Sequence, residues 1–300
     1  LNKKFVFLGD LDSINLELVC KSHKFLKNKV KYILLGNIKD ISNYLKKINS
    51  KLRIKEINNP INFEKYNENS LNIFNIENVS KEKFKNLQNQ IHISNFLSNN
   101  TQLDLVTLPI NKSIFKRKIN FTGMTEYLAK INKKETKMLM HGEKFSIIPI
   151  TTHINLKDVS KSIKKRLLKK SLDQIIEQID RKIYKFNFKK IKFLCYNPHC
   201  SEENTLGFED KVISEIISHF KIIKGPFAAD SAFSNIKPRT LFISMYHDQA
   251  LIPFKILNQK GINLTMGLNY RRLSPAHGTA NDIKFKNIAN ISSYLSCMEL

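Results

Sequence analysis

Residues 240–248 read TLFISMYHD, an apolar run that ends in a group of polar side chains. A short and nearly continuous apolar run is typical of a parallel strand that is buried on both faces. Two other stretches have the same form: FSIIPITT at 145–152 precedes His153, and KFLCY at 192–196 precedes Asn197-Pro198-His199. Ligands of open α/β sheets bind outside the carboxyl ends of the strands, so these three stretches predict both a fold class and the place of a site.

The rest of the chain alternates in the same way. Further strands are predicted at 4–8, 31–36, 103–109 and 261–266, and helical spacing is present at 14–27, 40–48, 124–131, 156–182, 207–219 and 279–297. Residues 91–97 are weakly helical, and the polar segment 50–75 predicts irregular strands and loops. Strands that alternate with helices favour a parallel, doubly wound α/β sheet.

The charge is the unusual feature of the composition. The 300 residues carry a formal net charge of +24, which is a property of nucleic-acid-binding proteins. However, only seven of the 50 basic residues are arginine, the preferred residue for bidentate phosphate and base contacts. The excess is lysine in a chain also rich in Asn and Ile, which is consistent with A/T-rich codons. This distribution argues against nucleic acid as the partner.

Four cysteines without a CxxC pair favour a reducing compartment. No apolar run approaches the roughly 20 residues of a membrane span, and the apolar part of the N-terminus is too short for a signal peptide. We therefore expect a cytoplasmic protein without membrane contact. The sequence also lacks GxGxxG, GxxxxGK[ST], GxSxG and HExxH, so no local motif identifies a nucleotide or a catalytic group.

Three histidines, His153, His199 and His247, each follow one of the apolar strands closely. Three imidazoles with one open position form a common catalytic metal site, in which the ion acts as a Lewis acid. The separations along the chain are long, so no local metal motif supports one shared ion. The alternative is three unrelated histidines, some of them acid/base groups.

A second polar group lies downstream of His247 and contains Asp248, Lys255, Asn263 and Arg272. A lysine and an arginine near strand ends suit a phosphate or a carboxylate. The run Tyr246-His247-Asp248-Gln249 is more specific, because such a dense polar cluster rarely follows an apolar strand for packing reasons alone. The sequence therefore predicts that an anionic small molecule binds near the histidines.

From about residue 103 onward the chain resembles the 4-hydroxythreonine-4-phosphate dehydrogenase family of pyridoxal phosphate biosynthesis. The matching stretches, in family order, are Thr151-Thr152-His153 with Leu156-Lys157-Asp158-Val159, Asn197-Pro198-His199 with Glu202 and Leu206-Gly207, Gly225-Pro226-Phe227 with Ala229-Asp230, Met245-Tyr246-His247-Asp248-Gln249, Asn263-Leu264-Thr265-Met266-Gly267-Leu268, and His277-Gly278-Thr279-Ala280. Together these motifs are highly specific.

The resemblance implies two α/β/α domains with a cleft between them, related to the isocitrate and isopropylmalate dehydrogenases. We expect residues 1–117 plus 284–300 to form the first domain. Residues 118–283 should form the second and carry the metal ligands. The resemblance also implies a homodimer in which two of the three histidines of each site come from one subunit and the third from its partner.

The implied reaction is NAD- or NADP-dependent oxidation of the substrate hydroxyl, followed by decarboxylation of the β-keto acid. Its substrate is a small phosphorylated hydroxy-amino acid. A divalent ion (Zn²⁺, Mg²⁺ or Co²⁺) would be held by His153, His199 and His247. The substrate contacts carry over to Thr125, Lys255, Asn263 and Arg272, and the catalytic positions to Asp230, Asp248 and Lys255. No stretch predicts the dinucleotide contacts.

The first third of the chain departs from the family pattern. Residues 9–17 read GDLDSINLE where the family has GDPAGIGPE, and Thr107-Leu108-Pro109 replaces a TGP motif. Met124-Thr125 replaces a substrate-binding His-Thr pair, and methionine can neither donate to a phosphate nor carry charge. Three hypotheses follow: an active family member, a paralogue for another phosphorylated hydroxy acid such as 4-phospho-threonate or -erythronate, and a non-catalytic, polyanion-binding homologue.

Overall fold

The structure, a computed structural model, describes all residues from 1 to 300. The strands are β1 (Asn2–Phe7), β2 (Val30–Gly36), β3 (Arg53–Glu56), β4 (Ser70–Asn75), β5 (Asp104–Thr107), β6 (Lys137–His141), β7 (Ser146–Pro149), β8 (Lys190–Leu194), β9 (Ile223–Phe227), β10 (Thr240–Ser244), β11 (Ile262–Met266) and β12 (Arg272–Pro275). The α-helices are α1 (Asn15–Leu26), α2 (Ile38–Lys47), α3 (Lys83–Thr101), α4 (Lys112–Lys116), α5 (Met124–Asn132), α6 (Lys165–Asp180), α7 (Glu209–Ile217), α8 (His247–Leu257) and α9 (Ser292–Glu299).

The chain forms two compact units. Unit 1 contains residues 1–134 and 268–300, and unit 2 contains residues 135–267. The predicted boundaries, at 117/118 and 283/284, differ because α5 and β12 belong to unit 1. Leu128 of α5 and Leu268 and Tyr270 ahead of β12 are fully buried in its hydrophobic core.

The sheet of unit 1 is parallel throughout, in the order β3-β4-β2-β1-β5-β12. Successive side chains of a strand point to opposite faces. In β1, Phe5 and Phe7 enter the core that contains Leu87 and Ile91 of α3, while Val6 points the other way and is equally inaccessible. Both faces of this sheet are therefore covered, as the apolar runs predict.

A buried ion network ties β1, β5 and α9 together. The Lys4 ammonium lies 3.0 Å from Asp104 Oδ2 and donates to the carbonyl oxygen of Cys297. Arg271 binds the same carboxylate through Nε and Nη2, at 2.8 and 2.6 Å. Burial lowers the pKa of Lys4, and Asp104 opposes that shift. One carboxylate thus compensates two cations inside unit 1.

The sheet of unit 2 has the order β11-β6-β7-β10-β8-β9. Strands β7, β10, β8 and β9 are parallel, whereas β6 runs antiparallel to both of its neighbours. The sequence predicts a parallel sheet, and the antiparallel strand β6 corrects that prediction. It pairs with β7 across the short connection 142–145, which is too short for the crossover that a parallel pair needs.

None of the α-helices combines the length and the apolar character that a membrane span requires.

Candidate active site

Backbone hydrogen bonding between β7 and β10 continues past the carboxyl ends of both strands. Pro149 lies opposite Ser244 in the parallel register. The backbone N–H groups of Ile150 and Thr151 then donate to Ser244 and Met245, at 2.8 and 3.1 Å. This extension delivers His153 and His247 to one edge of the sheet.

His153 and His247 form a pair within a single chain. Their ring centroids lie 5.8 Å apart, with 40° between the planes. His247 Nδ1 lies 2.7 Å from Asp248 Oδ1. A carboxylate on one ring nitrogen fixes the tautomer and leaves Nε2 available as a ligand or base, which is a common arrangement around metal-binding histidines. Asp248 thus contacts His247 and orients it.

His199 sits on a turn that Asp210 of α7 builds. The Asp210 carboxylate, buried in the protein, accepts hydrogen bonds from the backbone N–H groups of Tyr196 and Asn197 at 2.6 and 3.0 Å. It also accepts one from the hydroxyl of Ser201 at 2.7 Å. Sequence reasoning did not identify Asp210, because its only local signal is its place in the first turn of a predicted helix.

The backbone from His199 to Asn204 is left-handed at every residue, with φ between 44° and 75°. Residues with a Cβ disfavour this region, and the segment contains no glycine. Such conformations persist only where surrounding contacts enforce them, and they cluster at functional sites. The bond from Ser201 to Asp210 is one such contact.

His199 lies near a second carboxylate. Its Nδ1 is 3.8 Å from Asp230 Oδ2, beyond hydrogen-bonding distance, and both side chains are more than 60% exposed. No group of three His, Cys, Asp or Glu side chains in the single chain is arranged to hold a metal ion. A single chain therefore places His153 beside His247, His247 beside Asp248, and His199 near Asp230.

The pair of imidazoles fits part of a divalent metal site. Zn–N bonds of about 2.0–2.1 Å place two imidazoles that share an ion with their centroids roughly 5–6 Å apart. The separation of His153 and His247 agrees with this spacing. The Asp248 contact supplies the outer carboxylate that such ligands usually have.

Two predicted substrate residues also belong to unit 2. Lys255 lies in α8, two turns beyond His247, and is exposed. Asn263 lies in β11, and its side-chain oxygen is buried without a hydrogen-bond partner. Buried polar atoms are rarely left unsatisfied, so this oxygen is available to a ligand.

The other two predicted substrate residues, Thr125 and Arg272, lie together in unit 1. Arg272 is buried and donates to the Thr107 hydroxyl at 2.7 Å and to the Thr125 hydroxyl at 3.5 Å. Burial lowers the pKa of Arg272 to about 10, so it stays charged at neutral pH. Met124, beside them, packs on the hydrophobic core of unit 1.

The loop after β1 lacks two glycines of the family pattern, and its backbone does not require them. Within residues 9–17 only Gly9 has a positive φ, 68°, and a Cβ there would lie 2.4 Å from the Pro109 carbonyl oxygen. Asn15 Nδ2 donates to the carbonyl oxygens of Leu8 and Pro109, both at 2.8 Å. The substitutions at the other positions are therefore compatible with the backbone.

A cavity of about 440 Å³ opens next to this loop in unit 1. It lies at the carboxyl ends of β1 and β2, where dinucleotides bind in many α/β folds, although the glycine-rich fingerprint of those folds is absent. Its lining includes three lysines (Lys47, Lys81 and Lys83), two aspartates (Asp12 and Asp40) and the aromatic rings of Tyr44 and Phe285. Cations, hydroxyl acceptors and aromatic rings fit the phosphates, riboses and base of a nicotinamide dinucleotide.

Comparison with known proteins covers the whole chain. Residues 15–300 match the family model described as "Pyridoxal phosphate biosynthetic protein PdxA". The 4-hydroxythreonine-4-phosphate dehydrogenase of Aquifex aeolicus is 36% identical, over 100% of this chain and 98% of the relative. The enzyme of that name from Sulfurihydrogenibium sp. is 32% identical, over 99% and 97%.

A solved structure has the same fold. The crystal structure of 4-hydroxythreonine-4-phosphate dehydrogenase from Klebsiella pneumoniae superposes with a TM-score of 0.83, covering 100% of this chain and 98% of that one, at 22% identity. The mixed α/β fold predicted from the sequence is thereby confirmed.

Proposed function

This chain belongs to the pyridoxal phosphate biosynthetic protein PdxA family, the 4-hydroxythreonine-4-phosphate dehydrogenases, and we propose that it oxidises 4-hydroxythreonine-4-phosphate with NAD or NADP. Decarboxylation of the resulting β-keto acid follows. The observation that carries the proposal is the pairing of His153 and His247, 5.8 Å apart at adjacent strand ends, with Asp248 on His247. The arrangement suits a substrate oxygen that must gain negative charge.

The proposal includes a homodimer, related in fold to the isocitrate and isopropylmalate dehydrogenases, in which each site takes one histidine from the partner. A single chain holds no complete set of three ligands. Helix α8, which begins at His247, exposes Ile252 and Ile256 by 59% and 70%. These side chains are one turn apart, and a shared apolar face is typical of a protein interface. A second copy on this face would lie beside the histidines.

When bound, a divalent ion held by His153, His199 and His247 supplies Lewis-acid stabilisation of negative charge on the substrate oxygens. A nicotinamide dinucleotide, when bound, would supply the hydride acceptor. Asp248 orients His247, and Asp230 faces His199 from 3.8 Å. The two carboxylates thus offset positive charge around the imidazoles, and Asp248 accepts a hydrogen bond from His247.

Lys255 and Asn263 are proposed to contact the substrate directly. The exposed ammonium of Lys255 can neutralise a phosphate or carboxylate, and it can return a proton to carbon after CO₂ leaves. The unsatisfied Asn263 oxygen accepts a hydrogen bond from a hydroxyl or ammonium group. Arg272 contributes a fixed positive charge and holds the Thr125 hydroxyl in place. Binding through the remote phosphate orients the reacting carbon.

The substrate is tested by following NADH or NADPH formation with 4-hydroxythreonine-4-phosphate, 4-phospho-threonate and 4-phospho-erythronate. Each is assayed with Zn²⁺, Mg²⁺ or Co²⁺ and after chelation. We expect turnover with 4-hydroxythreonine-4-phosphate that requires a metal, at a kcat/KM at least about tenfold above the other two, since one lost charge-assisted contact costs about that factor.

A preference for either other acid would instead assign the chain to the paralogue hypothesis. No turnover with any substrate and metal, in a folded protein, would leave only the non-catalytic homologue.

All four cysteines are free thiols, which supports the proposal that the enzyme works in the cytoplasm.

A further inference from the structure

The imidazole of His199 depends on its backbone for its position. The side chain is 63% exposed, and Asp230 Oδ2 lies 3.8 Å from its Nδ1, beyond hydrogen-bonding distance. The backbone that carries it is left-handed from His199 to Asn204, a conformation that residues with a Cβ disfavour. Without an enforcing contact this segment would relax to other conformations, and the imidazole would move with it.

Asp210, Asn197 and Ser201 close a ring of hydrogen bonds around the start of the left-handed segment. Both carboxylate oxygens of Asp210 accept a backbone N–H, Oδ1 from Tyr196 at 2.6 Å and Oδ2 from Asn197 at 3.0 Å. The Ser201 hydroxyl donates to Oδ2 at 2.7 Å and accepts from Asn197 Nδ2 at 3.0 Å. These contacts lie on both sides of His199 in the chain, so the ring fixes the backbone before and after the histidine.

Helix α7 is a firm base for this carboxylate. Asp210 is 3% exposed and lies in the first turn of α7, whose Ile213 is inaccessible to solvent. Glu209, the preceding residue, accepts a bond from Asn197 Nδ2 at 3.0 Å. Gly207 leaves room for that contact, because a Cβ there would lie 2.3 Å from Glu209 Oε2. Two consecutive acids of one packed helix therefore hold the same turn.

We propose that Asp210 is the positioning residue for His199. It acts through the backbone of the turn and keeps the imidazole where it can bind the metal ion, without itself contacting the ion. The inference rests on the proposed function for the role of His199 as a ligand. It deepens that function by assigning the group that keeps this exposed ligand in place before the ion binds.

The first test is Zn²⁺ titration by calorimetry of the full chain and of Asp210→Asn. Asparagine has the shape of aspartate but only one acceptor oxygen, so its amide nitrogen would face a backbone N–H donor. We expect Asp210→Asn to bind Zn²⁺ about 10- to 100-fold more weakly, the usual cost of altering a group behind a metal ligand. Asp173→Asn is the matched control, since Asp173 is a 53% exposed aspartate of the same unit, and its affinity should stay within about twofold of wild type.

A second readout separates positioning from a general loss of structure. The Zn²⁺ concentration that gives half-maximal NADH formation should rise in Asp210→Asn by the same factor as the dissociation constant. The kcat at saturating metal should stay within about twofold, since the bound ion then fixes the imidazole. Hydrogen exchange of the metal-free protein should show faster exchange at the amides of Tyr196 and Asn197. A lower kcat with an unchanged half-maximal Zn²⁺ concentration would show a purely structural role and refute the proposal.

Ser201→Ala and Ser201→Gly test the same argument without altering Asp210. Both variants lose the hydroxyl, but only glycine adopts the φ of 68° at this position without steric cost. We expect Ser201→Ala to weaken Zn²⁺ binding by about 5- to 30-fold, the cost of one left-handed residue. Ser201→Gly should stay within about threefold of wild type. Wild-type affinity in Ser201→Ala, or equal losses in the two variants, would contradict the proposal even if Asp210→Asn did not fold.

His199→Ala distinguishes failure of this inference from failure of the proposed function. If His199→Ala binds Zn²⁺ as tightly as wild type, the ligand assignment within the proposed function is wrong. If His199→Ala loses affinity and Asp210→Asn does not, the function stands and the positioning role is wrong. A chain that shows both losses but oxidises no substrate contradicts the function and retains the role of Asp210.

Discussion

His199→Ala is expected to lower kcat/KM for metal-dependent oxidation of 4-hydroxythreonine-4-phosphate by about 10³-fold, because a metal that stabilises developing charge is worth several kcal/mol of barrier. The side chain is 63% exposed, so its removal should not impair folding. Initial rates of NADH formation at saturating metal measure the effect. Zn²⁺ titration by calorimetry should show a parallel loss of affinity.

His219→Ala is the matched control. His219 is also an exposed histidine of unit 2, it follows α7, and it has no place in the proposed site. Its replacement should leave both the rate and the metal affinity within about twofold of wild type, as exposed substitutions usually do. Near-wild-type activity in His199→Ala would refute the assignment of this histidine as a ligand.

Asp104→Asn is expected to lower the free energy of unfolding by about 3–5 kcal/mol, the usual cost of removing one partner from a buried ion pair. Lys4 is inaccessible to solvent, and the Asp104 side chain is 11% exposed. The variant leaves two cations, Lys4 and Arg271, without the carboxylate that both contact. Denaturant unfolding, with the slope checked for a constant m-value, measures the change.

The control for this variant is Glu299→Gln, which removes the carboxylate of an exposed pair. Lys29 lies 2.8 Å from Glu299, with side chains 61% and 45% exposed. Such pairs contribute about 0–1 kcal/mol. Equal small effects in Asp104→Asn and Glu299→Gln would show that the buried network does not stabilise unit 1 as argued.

The sequence predicts those parts of the fold that depend on local pattern. Strands β1, β2, β7, β8 and β10 are apolar runs, so their positions follow from periodicity alone. The sequence pattern does not predict helix α8, because its first residues form the polar cluster at His247 and because Pro253 lies inside it. Strands β3 and β4 lie in a polar, Asn-rich segment, where the apolar signal is weak.

The segment 279–297, predicted as helical, is the clearest error of that kind. The structure has the 3₁₀ turn Asn281–Ile283 near the start of this segment, and the helix α9, Ser292–Glu299, begins only near its end. Ala280, Phe285 and Asn287 adopt positive φ, which an α-helix cannot include. The contact that selects this backbone is Glu17, more than 260 residues away in sequence, so no local pattern predicts it.

The candidate site likewise contains some residues that local sequence predicts and others that depend on contacts between distant segments. Residue identity and strand position predict that His153 and His247 reach one sheet edge. The pairing of Arg272 with Thr107 and Thr125, and the role of Asp210 beneath His199, depend on contacts between distant segments. These contacts join segments that are far apart in the chain, and the local sequence signals of these residues are those of ordinary helix and strand residues.

Complementation between inactive variants tests most directly whether two copies of the chain complete each active site. His153→Ala, His199→Ala and His247→Ala are purified, mixed in pairs, exchanged through mild denaturation and assayed. If one histidine of each site crosses from the partner, two of the three mixtures should regain about a quarter of wild-type activity, since half of the randomly formed dimers carry one intact site of two. If all three ligands of a site came from one chain, every mixture would stay inactive, and the shared-site account would be contradicted.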